Sequence, residues 1–334
     1  MYKLTATFQI ELASWIRLYR AESDALQYRA AIDGFDVEIV LIPDDGLRMS
    51  CPGDTFDTRA ITQVKVSVSR DEDSCPPGIL ISAQGGRDFR KRAPWFGQRQ
   101  EEYRIAAVKA VNRLARFCKY VLWIPNVREF LVHDSQFQNP QWIGEDYAEL
   151  TSGMDEALAM VISARGPRLL GQKDFTADED ALLQHALQDD VVVETYQEFL
   201  ADAQTSIVNG NIPRAILEMA IACEIAVKQA LFKKTVTAPG ASKGSRQNRR
   251  ERWPVSKLID VATKETLGES FRQVEKDAYQ HIVLLFRTRN EVAHRGRPVY
   301  PDDADDEHPV GRAVLEEWWP SVELLMRWIG RHRD

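Results

Sequence analysis

FRTRNEVAHRGRP, residues 286–298, closes a strongly helical segment, and its reading decides the fold of the C-terminal half. Upstream of it, Val274, Ala278, Ile282 and Leu285 recur in steps of three and four, and Val292 continues the series. That spacing predicts one amphipathic helix over residues 271–293. Gly296 and Pro298 supply the usual stop just beyond a helix C-terminus. Arg289 falls in the slot between Leu285 and Val292. A guanidinium on a buried stripe is costly unless something pairs with it. The slot therefore calls for an acid, a cleft or a subunit interface. Arg287, Asn290 and His294 share a different face at spacings of three and four. A plainer reading also fits these residues, because basic side chains favour the last turn, where they meet the negative end of the helix dipole.

Working outward, residues 190–334 read as helical throughout. Val193, Tyr196, Leu200, Ala203 and Ile207 form one stripe. Asn209-Gly210-Asn211 is a tight helix–helix turn, and Pro213 sits where a first-turn proline is tolerated. A second helix over 212–232 carries Ile216, Met219, Cys223, Ala226 and Ala230, with further alanines that let a neighbour approach closely. Residues 235–248 are polar, basic and rich in Gly and Ser, as in a loop. Pro254 restarts a helix, and a last one runs over 309–329 with Val314, Trp318, Val322, Leu325 and Ile329 inward. Pro320 should kink it. Short antiparallel connections suggest an up-down bundle.

Residues 1–150 read as β-rich. Residues 3–11 alternate as a half-buried strand. Residues 26–32 and 35–42 flank Asp33-Gly34, a hairpin signal. Residues 61–69 alternate again, 78–82 form a short apolar run, and 130–133 suggest one more strand. A long helix over 98–121 carries Arg104, Val108, Val111, Ala115 and Cys118. The arrangement is an antiparallel sheet with one helix across it, and the chain as a whole is α+β. Gly85-Gly86-Arg87 with Arg90, Lys91 and Arg92 has donors for a phosphate, but it lacks both glycine-rich nucleotide fingerprints and reads better as a turn with a basic flank. Residues 151–189 are a connector, in which the capping box Thr176-Ala177-Asp178-Glu179 starts a short helix to about Gln188. Recognition or regulation is the expected role of the N-terminal half.

Composition bounds the rest. With 44% apolar and 28% charged residues, an ordinary core forms without metals or disulfides. Cys51, Cys75, Cys118 and Cys223 are scattered with no C-x-x-C pair, which argues against zinc and disulfides and for a reducing cytoplasm. No run reaches the eighteen or so apolar residues of a membrane span. The N-terminus lacks the apolar core of a signal peptide. The net charge of −7 excludes a protein coated for duplex binding. Charge is nonetheless uneven: residues 233–252 are basic, and Asp302, Asp303, Asp305, Asp306 and Glu307 form an acidic run. A local basic patch suits a small nucleic-acid footprint, and equally a solvated loop.

Arg289-Asn290-Glu291-Val292-Ala293-His294 resembles the R-N-x-x-x-H signature of the HEPN superfamily, small helical domains of which many are metal-independent ribonucleases. The place of the motif on the penultimate long helix agrees with that. So does the helical hairpin over 198–231, whose second helix carries Glu218 and Glu224. The resemblance covers roughly residues 190–330, and none is found for the N-terminal half. It implies Arg289 and His294 as the catalytic pair, Asn290 as a positioning residue, a homodimer with two motifs facing one cleft, and no cofactor. It also implies cleavage of RNA in a toxin–antitoxin or antiphage setting, with an antitoxin or a phage trigger as further partners. Arg287, Arg295 and Arg297 are the candidate RNA contacts, and Glu224 is the acid expected to hold Arg289. The residue types suit the reaction. Histidine can act as base or acid near neutral pH, and arginine offers fixed donors to a charged phosphorane. Two rival readings remain: a non-catalytic HEPN binding or scaffolding module with an N-terminal sensor, and an α+β regulator with a helical dimerisation domain.

Overall fold

A computed structural model describes residues 2–18, 26–49, 58–74, 89–137, 140–144, 177–237, 253–301 and 306–332. The chain divides into two compact units, Met1–Val192 and Val193–Asp334. The first is a five-stranded antiparallel sheet with helices on one face, and the second is helical apart from one short hairpin.

In the first unit, β1 (Tyr2–Leu18), β2 (Leu26–Ile32), β3 (Phe35–Met49) and β4 (Thr58–Glu72) carry the sheet. With β5 (Gln141–Ile143) their order is β2-β3-β4-β1-β5. Strict alternation decides which face is covered. Leu26, Tyr28, Ala30 and Ile32 of β2 are buried, while Gln27, Arg29 and Ala31 between them are exposed. The register then stacks like on like: Phe8 opposes Val66, and Val66 opposes Ile39. A one-residue slip would turn every one of these side chains to water. The β2–β3 turn is Asp33-Gly34, with φ of 52° and 81°, the two positive values a tight hairpin requires.

Helix α1 (Phe89–Arg116) covers this apolar face and continues as a π-helical turn, Phe117–Val121. Its inner face is Tyr103, Ala106, Ala107, Ala110, Val111 and Leu114. The alanines bring the helix close to the sheet, and Arg104, expected on that stripe, lies half-buried at its side. The expected strand over 130–133 does not form. The side chain of Asn112 takes both backbone groups of Phe130, donating to its carbonyl (3.0 Å) and accepting its N–H (2.7 Å), so neither is left for a ladder. The fifth strand is instead β5, paired with β1 at Thr5, Ala6 and Thr7. The apolar run at 78–82 and Gly85-Gly86-Arg87 lie outside the described residues, as do the side chains of Arg90, Lys91 and Arg92.

Helix α2 (Ala177–Asp189) belongs to this unit rather than to a connector. The Tyr28 hydroxyl donates to Asp180 (2.7 Å), and Arg113 donates to the carbonyls of Leu187 and Gln188 (2.6 Å each), closing the end of α2. Gln184 acts as a surrogate strand. Its amide accepts the Arg29 N–H (3.3 Å) and donates to the Arg29 carbonyl (2.6 Å), blunting the open edge of β2.

The second unit opens with α3 (Thr195–Val208) and α4 (Ile212–Thr237), joined at Asn209–Asn211. Ile216, Met219, Ala222, Cys223 and Ala226 are fully buried, and α4 packs against α3 and the two later long helices. A broken helix α5 spans 255–267 with a π turn in its middle. The expected single helix over 271–293 is two: α6 (Phe271–Val274) and α7 (Lys276–Arg295). The break is at Glu275 (φ −130°, ψ 70°), so Val274 leaves the buried stripe and is 44% exposed. No Gly or Pro marks it. Tertiary ties hold α6 in place: Ser270 donates to Asp260 (2.8 Å), Arg272 pairs with the same carboxylate (3.2 Å), and Phe271 packs against Trp328.

The fully helical expectation for this half is corrected in one place. Residues after α7 form a hairpin of β6 (Val299–Pro301) and β7 (Glu307–Pro309) before α8 (Arg312–Arg331). Helix α8 stays helical through Pro320, which faces outward, while Leu315, Trp318, Val322, Leu325 and Ile329 face the core. Burying each such side chain contributes roughly 1.5–3 kcal/mol. Among the described residues, no helix is long and apolar enough to cross a membrane.

Candidate functional site at the end of α7

The inward stripe of α7 is Ala278, Ile282, Leu285, Thr288 and Val292. Thr288, not Arg289, occupies the slot between Leu285 and Val292. It is 0% exposed, and its hydroxyl donates to the Leu284 carbonyl one turn back (2.9 Å), so a polar residue sits inward without an unmet hydrogen bond. Arg289 is displaced to the flank, half-buried, and donates to the Asn290 side-chain oxygen (3.1 Å). The expected buried charge is therefore relieved by solvent and a neighbouring amide. Glu224 does not hold it: its carboxylate pairs with Lys228 on its own helix (2.5 Å).

Arg287, Asn290 and His294 share the exposed face anticipated from their spacing. The helix ends at Gly296 (φ 68°), whose N–H donates to the Val292 carbonyl (2.9 Å). His294 and Arg295 lie in that last turn, where the free carbonyls favour cationic side chains. The two outer arginines are engaged within the chain. Arg295 pairs with Glu291 (3.2 Å). Arg297 makes a two-pronged contact with Glu307 of β7 (2.9 and 2.8 Å) and lies 4.0 Å from Glu291. Beside this fork Tyr300 stacks on His308 across the hairpin and leans on Trp318 of α8, so the hairpin is tied internally and to the last helix as well. The last two turns of α7 thus present the exposed His294 imidazole and Asn290 amide beside the half-buried Arg289 guanidinium, flanked by arginines whose charge is partly neutralised.

Two other polar assemblies escaped the sequence reading. In the first unit Glu72 is 5% exposed and receives Arg70 (2.9 Å), Arg99 (2.9 Å) and the Tyr103 hydroxyl (2.9 Å). Arg70 also reaches Glu102 (2.8 Å), and the guanidiniums lie over the rings of Phe35 and Trp95. Burial pushes the Glu72 carboxyl up, but the hydrogen bonds from Arg70, Tyr103 and Arg99 outweigh it and hold the group below the ordinary carboxylate value. Burial, then Glu72 itself, push Tyr103 up. Every member is satisfied, so this cluster fastens α1 to β4. The second is a cavity of about 920 Å³ over the polar face of the sheet. Most of its strand residues are the outward half of an alternation, and only the strand register reveals that they meet. Cys118 and Cys223 are free and buried, and burial pushes both thiols up to about 12. They are packing residues.

Comparison of the chain with protein-family profiles, with curated proteins and with solved structures gave no match.

Proposed function

We propose that the protein is a metal-independent endoribonuclease of HEPN type, working as a homodimer through its C-terminal unit. The carrying observation is the R-N-x-x-x-H constellation on the last turns of α7. Asn290 and His294 are open to solvent, and Arg289 is held by Asn290 rather than sealed in the core. In this reading His294 moves a proton at the 2′-hydroxyl or at the leaving 5′-oxygen. Arg289 donates to the non-bridging oxygens as charge gathers on phosphorus. One α7 offers one such histidine, and a second copy related by two-fold symmetry supplies the other. Arg287, Arg295 and Arg297 flank the site as RNA contacts, the last two after exchanging a carboxylate for a phosphate. An antiphage or toxin–antitoxin role, with cytoplasmic RNA as target, belongs to the same proposal.

Incubation of the purified protein with total RNA in EDTA tests it. The expected result is nicking by wild type, with 2′,3′-cyclic phosphate ends, and none by His294→Ala or Arg289→Ala. Equal RNA profiles for wild type and variants would reject it. A second reading, a non-catalytic binding module of the same fold, draws support from the internal pairing of Arg295 with Glu291 and Arg297 with Glu307, which lowers the charge offered to a phosphate. RNA retention on a filter without cleavage would select it.

A further inference from the structure

The cavity on the first unit is lined by short hydroxyl side chains together with longer ones such as Lys3, Lys65 and Glu38. Its floor is two cross-strand hydroxyl pairs, Thr5 with Ser69 (2.9 Å) and Thr7 with Ser67 (3.2 Å). Each pair shares one hydrogen bond, so each keeps one O–H to donate and lone pairs to accept. A merely solvated sheet face pairs long charged residues across its strands. Arg29 and Glu38 do so at the β2–β3 side, 3.2 Å apart. Lys65 and Asp36 have no opposite charge across from them in the register, and Lys3 stands opposite Asp71; all three are exposed, line the cavity and make no ion pair among the described residues.

The register fixes where these three stand. Asp36 opposes Ser69, beside the first hydroxyl pair. Lys3 lies two residues before Thr5 on β1, and Lys65 two residues before Ser67 on β4. Lys65 opposes Gln9, so the two lysines bracket the floor lengthwise, with backbones about 20 Å apart at the usual strand rise. Both lysines line the same hollow as the hydroxyls. No aromatic ring lines the cavity among the described residues, so base stacking contributes nothing there.

We propose that this hollow binds a phosphorylated sugar of nucleotide size. A lysine ammonium takes the phosphate as a point charge. Asp36 accepts from the sugar hydroxyls, as a carboxylate does for a ribose diol. The Ser and Thr hydroxyls complete the contacts. The volume lies within the range of small-molecule sites. Neither inorganic phosphate nor a bare nucleoside satisfies both ends, and the absence of rings makes the site indifferent to the base. The inference is independent of any RNA chemistry at α7.

Calorimetric titration of the full chain tests it with adenosine diphosphate, ribose 5-phosphate, adenosine, inorganic phosphate and a single-stranded oligonucleotide. The diphosphate and ribose 5-phosphate should bind with similar affinity, and adenosine and phosphate at least about tenfold more weakly. Asp36→Asn and Lys65→Ala should each weaken the two phosphorylated sugars about tenfold. Both side chains are exposed, so the melting temperature reports independently that each variant is folded. The proposal is overturned if no phosphorylated sugar binds folded wild type, if phosphate alone binds as well, or if neither substitution matters. Oligonucleotide binding without mononucleotide binding also overturns it, and makes the face an RNA-backbone track.

Discussion

Two clusters of arginine and glutamate sit in the two units, and water separates their roles. Around Glu72 the carboxylate is buried and both of its oxygens are engaged, one by Arg70 and Tyr103 and the other by Arg99. At the end of α7, Arg295, Arg297, Glu291 and Glu307 meet with comparable distances but with solvent on most sides. A buried network ties elements together because breaking it strands a charge. An exposed one is worth about 0–1 kcal/mol and can exchange partners. Similar residues therefore make a rivet in one unit and a replaceable clip in the other.

Glu72→Ala should have the largest effect. Removing one partner from a buried ion pair costs about 3–5 kcal/mol. The lower end is expected, because Arg70 keeps Glu102 and both guanidiniums retain some water. Urea unfolding should show the loss in the midpoint, and a change under about 1 kcal/mol would mean that the cluster is no rivet. Acid should act on the same bond. The Glu72 carboxyl lies below its ordinary value of 4.5 in the folded chain. A depressed carboxylate contributes stability above its unfolded pKa, and that contribution is lost as pH falls through the folded one. The melting temperature should accordingly fall below about pH 4.5, and Glu72→Gln should show a shallower fall.

The difference between the units also explains what the sequence disclosed. The Asp33-Gly34 hairpin and the sheet alternation were legible because period and turn chemistry are local. The break at Glu275 was not, since Ser270 and Arg272 enforce it through Asp260, ten and twelve residues away. The hairpin after α7 escaped because its three-residue strands are too short to show a period. At the motif, spacing correctly placed Arg287, Asn290 and His294 on one outward face. It misplaced Arg289, because Thr288 could turn inward once the Leu284 carbonyl met its hydroxyl. Glu224 found Lys228 four residues on, nearer than anything on α7. The cavity was illegible in principle: Asp36, Ser69 and Thr5 belong to three strands, and only their pairing makes them neighbours.

The exposed cluster gives the smaller predictions. Glu307→Gln weakens the fork on Arg297 and should cost at most about 1 kcal/mol, as for other solvent-exposed pairs. If Arg297 serves RNA, the same change should tighten RNA binding in a filter assay and steepen its salt dependence, because a guanidinium is released for a phosphate. Unchanged RNA affinity would assign Arg297 wholly to the hairpin. His294→Ala should affect stability least, within about 0.5 kcal/mol, because an exposed side chain away from packing contributes little. Cleavage by that variant should nevertheless fall by roughly 10²–10⁴, the usual worth of a positioned acid or base. A variant that lost stability and activity together would place His294 among the structural residues of α7, and the two clusters would then differ only in degree.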